Sequence, residues 1–332
     1  MQTKRRTFLA LGLAAGLGMS FTMTAMSQDA AAEWKPRKPV EFIIMAGTGG
    51  GADRLARLIQ SIIQKNEFSN QPFIPINKGG GSGAEALRYL KDKQGDPHVI
   101  MATLNSLYTT PLRNPGLGVD ITDYTPIARL AEDTFVLWVN AETDIMTVDD
   151  YVAAVKKVGS DNWKMGGTGT GQEDSLVTAM LENAYGIKHT YVPFKGGGTV
   201  AKNLIGNHIE STVNNPSEQM GFFEAGKSRP LAAFTPERIP VFADVPTFAE
   251  LGKDNMVYFM QRSIIAPGGI SADVQAFYEG VFQKVNDSAA WKEYTSKKAL
   301  NRAWLTGDDL MAYFIEEREK HRVLLKAMGE ID

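Results

Sequence analysis

One arrangement recurs along this chain and restricts its fold more than any other: an apolar strand that runs straight into a glycine cluster and then into a helix. Val40 to Ala46 is an apolar run, broken only by Glu41, of the kind buried on both faces of a parallel sheet. Gly47-Thr48-Gly49-Gly50-Gly51-Ala52-Asp53 follows, and Leu55, Leu58, Ile59, Ile62 and Ile63 then share one face at helical spacing. The unit repeats later. Asn162 to Gly166 leads into Gly167-Thr168-Gly169-Thr170-Gly171-Gln172-Glu173-Asp174, and a helix carrying Leu176, Ala179 and Met180 closes at Gly186. Two shorter versions stand beside these. Pro72 to Ile76 precedes Asn77-Lys78-Gly79-Gly80-Gly81-Ser82-Gly83 and a helix from Ala84, and His189 to Pro193 precedes Phe194-Lys195-Gly196-Gly197-Gly198 and a helix to about Ile205. Alternation of this kind is the pattern of an α/β protein with parallel strands.

The remaining segments fit two lobes. His98 to Thr103 and Phe135 to Val139 read as strands, Val148 to Val158 as a helix opened near Thr147, and Glu210 to Val213 as a strand ending in Asn214-Asn215-Pro216. Tyr258 to Ala266 reads as a late strand that carries the chain back to the first lobe. After Ser271, the residues Val274, Phe277, Tyr278, Val281, Phe282 and Val285 form one apolar stripe, and a last helix runs from near Thr306 to about Lys326. The expected division is 33–134 with 259–332 as one lobe and 135–258 as the other, inserted into it.

Composition narrows the function classes. A chain of 332 residues, 43% hydrophobic and 22% charged, has ample core for one or two domains and is not a disordered chain. The absence of cysteine excludes disulfides, thiol nucleophiles and iron–sulfur clusters. Lys+Arg at 35 against Asp+Glu at 38 gives no basic surplus for nucleic acid. Residues 1–32 read as an export address: Lys4, Arg5 and Arg6, then an uncharged stretch to Met26 and small residues at Ala25-Met26-Ser27 or Ala30-Ala31-Ala32. The run Arg5-Arg6-Thr7-Phe8-Leu9 resembles a twin-arginine signal, which predicts a periplasmic protein. A membrane anchor is the alternative reading of the same stretch. Removing residues 1–27 takes away those three cations and no acid, so the net charge moves from −3 to −6.

The glycine loops suit an anion. Each joins the C-terminal end of a strand to the N-terminus of a helix, where open α/β sheets bind ligands and where N–H groups and the helix dipole favour negative charge. A P-loop is excluded at 47–53 and 167–174 because neither loop ends in Gly-Lys-Ser/Thr. A dinucleotide site is disfavoured because the second strand ends in Asn77-Lys78 rather than an acid. His98, His189, His208 and His321 make no metal-spaced pair, and Gly81-Ser82-Gly83 lacks the spacing of a nucleophile elbow. No catalytic set, metal or cofactor is expected. Asp53, Glu173 and Asp174 read as caps and dipole partners of their helices.

These motifs, in this order and spacing, resemble the substrate-binding receptors of tripartite tricarboxylate transporters, the Bug family. The resemblance runs over about 34–330. It is carried by Ala46-Gly47-Thr48-Gly49-Gly50-Gly51-Ala52-Asp53 with Arg57, by Asn77 to Gly83, by Gly167 to Gly171 and by Val192-Pro193-Phe194-Lys195-Gly196. Gly226 to Ala232, Asp244-Val245-Pro246-Thr247 with Glu250-Leu251-Gly252, and Ala266-Pro267-Gly268-Gly269 complete it. The resemblance implies a two-lobe periplasmic binding fold of type II, with two crossover strands and a ligand cleft between the lobes. It also implies a non-catalytic monomer that takes a small carboxylate and delivers it to a two-component membrane permease. Carried over by position, the carboxylate would meet Gly47, Thr48, Gly49, Gly50, Gly51, Ala52 and Asp53, then Gly167, Thr168, Gly169, Thr170 and Gly171, with Asn214-Asn215 facing the cleft. Gly167 and Ser175 depart from the family's serine and histidine, and Gln261-Arg262 stands near its usual Trp-x-Gly strand. Arg262 is read two ways, as a bidentate partner for a second ligand carboxylate or as the partner of a structural acid. An α/β enzyme acting on a small carboxylic acid is the alternative function.

Overall fold

A computed structural model of the chain describes residues 33–159 and 162–332. The export segment expected at 1–32 lies outside them. Among the described residues no helix is long and apolar enough to cross a membrane. The chain opens with β1 (Val40–Ile44), α1 (Gly51–Lys65), β2 (Phe73–Asn77), α2 (Ala84–Asp92), β3 (Val99–Thr103), α3 (Ser106–Arg113) and β4 (Tyr124–Asp133). It continues with β5 (Val136–Asn140), α4 (Val148–Val158), β6 (Lys164–Gly167), α5 (Glu173–Tyr185) and β7 (Thr190–Pro193). Then come α6 (Gly197–Ile205), β8 (Ser211–Thr212), α7 (Pro216–Glu224) and β9 (Ser228–Ala233). It closes with β10 (Met260–Pro267), α8 (Ala272–Asp287), α9 (Ala289–Lys297), β11 (Asn301–Thr306) and α10 (Gly307–Ala327).

Two sheets result. One has the order β11-β4-β10-β3-β1-β2, the other β7-β6-β8-β5-β9. Parallel pairs make the centre of each: β1 with β2 and β3, and β6 with β7 and β8. The parallel strands expected from the strand–helix units are joined by β10, which returns antiparallel between β3 and β4, and by β5, antiparallel to β8 and β9. The physical reason is direction of arrival. β4 passes into β5 through Thr134 and Phe135 alone, and β10 re-enters the first sheet after the second is complete, so neither follows a strand–helix crossover.

The apolar runs became buried strands for the reason the sequence suggests. Every residue of β3 and β5 is buried, and so are Leu55, Ile59, Ile62 and Ile63 of α1, with Leu58 at its margin. Under the first sheet Phe42, Phe73, Tyr278 and Phe282 meet edge to face at 6.1–6.4 Å, which is the stripe read on α8. Under the second, Trp138 and Phe223 pack on Phe242 at 5.5 and 5.1 Å. These cores fix the ends of β1, β2, β6 and β7, and hence the four loops that follow them.

Candidate functional site

The four glycine loops converge. Loops β1–α1, β2–α2, β6–α5 and β7–α6 line one cavity of about 710 Å³, and four helix N-termini start at its wall. Missing Cβ atoms are what allow the approach. A Cβ on Gly47 would overlap the Lys195 carbonyl oxygen, and one on Gly198 would lie 2.7 Å from the Gly49 carbonyl oxygen. The loops after β1 and β7, from different sheets, therefore meet backbone to backbone.

Side chains tie the same two sides together. The Gly51 N–H donates to Glu218 Oε1 at 2.7 Å, and the Ser106 N–H to Glu173 Oε1 at 2.9 Å. Ser82 Oγ and Arg113 Nη1 both donate to the Thr170 carbonyl, at 3.2 and 3.0 Å. Arg54 Nη1 donates to the Ser217 carbonyl at 3.1 Å.

Several loop amides expected to hold a carboxylate are bonded to acceptors of the protein. Asp53 Oδ2 accepts from the Gly49 N–H at 2.9 Å, Asp174 Oδ2 from Thr168 at 2.8 Å, Gln172 Oε1 from Gly169 at 2.7 Å and Ser175 Oγ from Gly171 at 2.7 Å. The N–H groups of Thr48 and Gly50 have no acceptor among the described residues. Asp53 and Asp174 each close their own loop onto their helix by accepting an N–H that precedes the N-cap residue, Gly50 or Gln172, and neither helix has a side-chain cap bond at that residue.

Charge inside the cavity is concentrated and buried. Glu173, Asp174 and Glu218 all lie in the wall with little exposure. Burial pushes the carboxyl of each above the ordinary range. Glu218 raises Asp174 further, while the Ser106 N–H opposes the rise at Glu173 and the Gly51 N–H and Arg262 oppose it at Glu218. Asp53 goes the other way: burial raises it, but hydrogen bonds from Gly49, Asn77 and Arg57 outweigh that and leave it low. Arg262 is buried against Asp133 through its Nε and Nη2. Burial opposes the charge on Arg262, and Asp133 and Glu218 together more than restore it. Arg262 pairs with a structural acid, as the second reading has it, and it also lines the cavity.

Of the residues picked from sequence, Gly47, Thr48, Gly50, Gly51, Ala52, Thr168, Gly169, Asn215 and Arg262 line the cavity. Gly49, Asp53, Gly167, Thr170, Gly171 and Asn214 stand outside its lining. Gly167 ends β6 against Tyr191, and Asn214 is wholly buried, donating to the Gly197 carbonyl at 2.9 Å. Sequence reasoning missed Glu218. It sits in the first turn of α7 behind Pro216, where an acid reads as a dipole partner, and its distance from Gly51 in the chain hides the contact.

The family described as "Tripartite tricarboxylate transporter family receptor" matches residues 55–330. The UPF0065 protein in the gbd 5′ region of Cupriavidus necator is 24% identical over 326 residues, 98% of each chain. The structure of the periplasmic binding protein BugD superposes with a TM-score of 0.83 at 20% identity, covering 89% of this chain and 99% of BugD. That of R. palustris Rpa4515 with adipate gives 0.83 at 23% identity, covering 89% and 98%. The expected two-sheet periplasmic binding fold is thus met by solved structures. This chain belongs to the tripartite tricarboxylate transporter receptor family, whose members are binding receptors and not enzymes.

Proposed function

We propose that this protein is an exported periplasmic receptor that closes on a small carboxylate, a di- or tricarboxylate or an aromatic acid, and delivers it to a two-component membrane permease. The observation that carries this reading is the convergence of four strand-end glycine loops, each at a helix N-terminus, on one cavity of about 710 Å³. In the reading, segments 33–134 with 259–332 and segment 135–258 act as the two lobes, and residues 1–32 direct export by the twin-arginine route. The ligand carboxylate takes N–H groups of the loops Gly47 to Asp53 and Gly167 to Gly171, with those of Thr48 and Gly50 the most available. Asn215 and Arg262 complete the wall. A structural relative solved with adipate supports the ligand class.

The energy is sufficient. Micromolar affinity requires about −8 kcal/mol, and a charge-assisted hydrogen bond contributes roughly 1.5–3 kcal/mol. Two such bonds, to the N–H groups of Thr48 and Gly50, give about 3–6 kcal/mol, and the four helix N-termini at the wall, at roughly 0.3–1 kcal/mol each, bring the upper end of the sum past that value. The test is a thermal-shift screen of the folded protein against mono-, di- and tricarboxylates and aromatic acids, followed by calorimetry. The expected result is saturable stabilisation by at least one acid, which is recovered unchanged. Turnover of the stabilising acid, or no stabilisation by any acid, refutes the reading.

A further inference from the structure

The cavity wall carries a charge pattern that an anion cradle does not need. Glu173 and Asp174 direct their carboxylates at the Ser106 and Thr168 amides. Glu218 differs from both. It is only 8% exposed, it lines the cavity, its Oε1 accepts the Gly51 N–H at 2.7 Å, and its Oε2 has no donor among the described residues. Beside it the buried Ser217 Oγ has no partner either. Gly197 leaves the space this carboxylate fills, since a Cβ there would overlap it. The carboxylate of Glu218 therefore occupies the N-terminus of α1, which is the place where a ligand carboxylate would find an amide and the positive end of a helix. Arg262, the cation beside it, is already engaged by Asp133.

We infer that Glu218 is the specificity-determining residue of the cleft. Its unsatisfied oxygen reserves one end for a hydrogen-bond donor of the ligand, so the ligand class is a carboxylate bearing a nitrogen donor, an ammonium or primary amide, at its other end. A second carboxylate at that end meets the like charge of a mostly buried side chain, whereas an N–H group there completes the acceptor and adds a charge-assisted bond. Hydrogen-bonding sites of this kind reject the analogue lacking the donor far more strongly than apolar pockets reject a methylene. The inference rests on the receptor reading above and narrows its ligand.

The test is calorimetry of the folded protein at pH 7.5 with matched pairs: succinate against succinamate, glutarate against glutaramate, adipate against adipamate. For the chain length that fits best, the half-amide is expected to bind at least tenfold tighter than its diacid. Glu218→Gln keeps an oxygen for the Gly51 N–H and turns the other atom into a donor, so it is expected to reverse the ranking by tenfold or more. Its melting temperature without ligand checks that it folds, and if it does not, the wild-type ranking alone decides. A diacid that binds the wild type as tightly as its half-amide at every length, or a ranking that passes unchanged into Glu218→Gln, overturns the role of Glu218 and leaves the receptor reading standing. Binding of neither kind of acid overturns this inference, and the receptor reading falls with it only if the wider screen of mono-, di- and tricarboxylates and aromatic acids also finds no ligand.

Discussion

Breaking the Arg262–Asp133 pair offers the sharpest test of how this molecule is held together. Arg262 and Asp133 are 4% and 1% exposed, so neither charge can be solvated if its partner goes. Removing one member of a buried pair costs about 3–5 kcal/mol, because it strands the other charge. The structure orders the two halves. Arg262→Met strands Asp133 and also removes a cation that stabilises ionised Glu218, so it belongs at about 5 kcal/mol. Asp133→Val leaves Arg262 with Glu218 still near, so it belongs at about 3 kcal/mol. For a folded unit of this size the two losses lower the melting temperature by about 8 °C and 5 °C. The double variant replaces both charges with apolar groups, which is often close to neutral, so it is expected to be more stable than either single variant. Urea unfolding of the four proteins, with calorimetric melting as a second measure, gives the cycle. If the two single losses simply add in the double variant, the residues are not energetically paired and the account is refuted.

Three further perturbations follow from the geometry. Gly47→Ala drives a Cβ into the Lys195 carbonyl oxygen, forcing the loops after β1 and β7 apart. Calorimetry with the tightest acid from the screen should show at least tenfold weaker binding, with unfolding destabilised by about 1–3 kcal/mol. Asp174 titrates above its ordinary range in the fold, so the fold binds its proton more tightly than the unfolded chain does. Its contribution is fully present below the ordinary carboxyl range and lost as pH rises through the raised value. Asp174→Asn should therefore gain stability relative to wild type between pH 5 and pH 8, read from melting temperatures across that range, and a constant difference would contradict the shift. Tyr151→Phe removes a hydroxyl that meets His189 Nε2 at 2.7 Å and Ser211 Oγ at 3.1 Å. It should cost about 1–3 kcal/mol in urea unfolding, as His189 Nε2 is left buried and unsatisfied while Ser211 Oγ keeps the Trp163 Nε1–H.

What could be read in the sequence was whatever is local. Val40–Ile44 and its loop, the face of α1, the stripe on α8 and the loop after Gly167 are all signalled within a dozen residues. β4 was not legible: Tyr-Thr-Pro-Ile-Ala-Arg-Leu-Ala-Glu-Asp carries a proline and three charges, and it is a strand because β10 and β11 flank it. β11 has an apolar run of only Ala303-Trp304-Leu305 and is half-buried there, and α3 contains Pro111, which argues against a helix. In the site, the glycine loops announced themselves, whereas the partners of their amides did not. Glu218 to Gly51 and Arg262 to Asp133 are pairings across more than a hundred residues, set by the packing of two sheets and by nothing in their own neighbourhoods.

The amides of Gly49, Gly51, Thr168, Gly169 and Gly171 already hold acceptors of the protein's own. Any anion that claims one of them makes an exchange rather than an addition. The count of hydrogen bonds is then nearly conserved on capture, and the heat of binding reports only the difference between two acceptors. On the proposed receptor reading the same trade would run backwards on release: Asp53, Asp174, Gln172, Ser175 and Glu218 stand within hydrogen-bond reach of these N–H groups and would take them back, so that emptied loops would not have to wait for water.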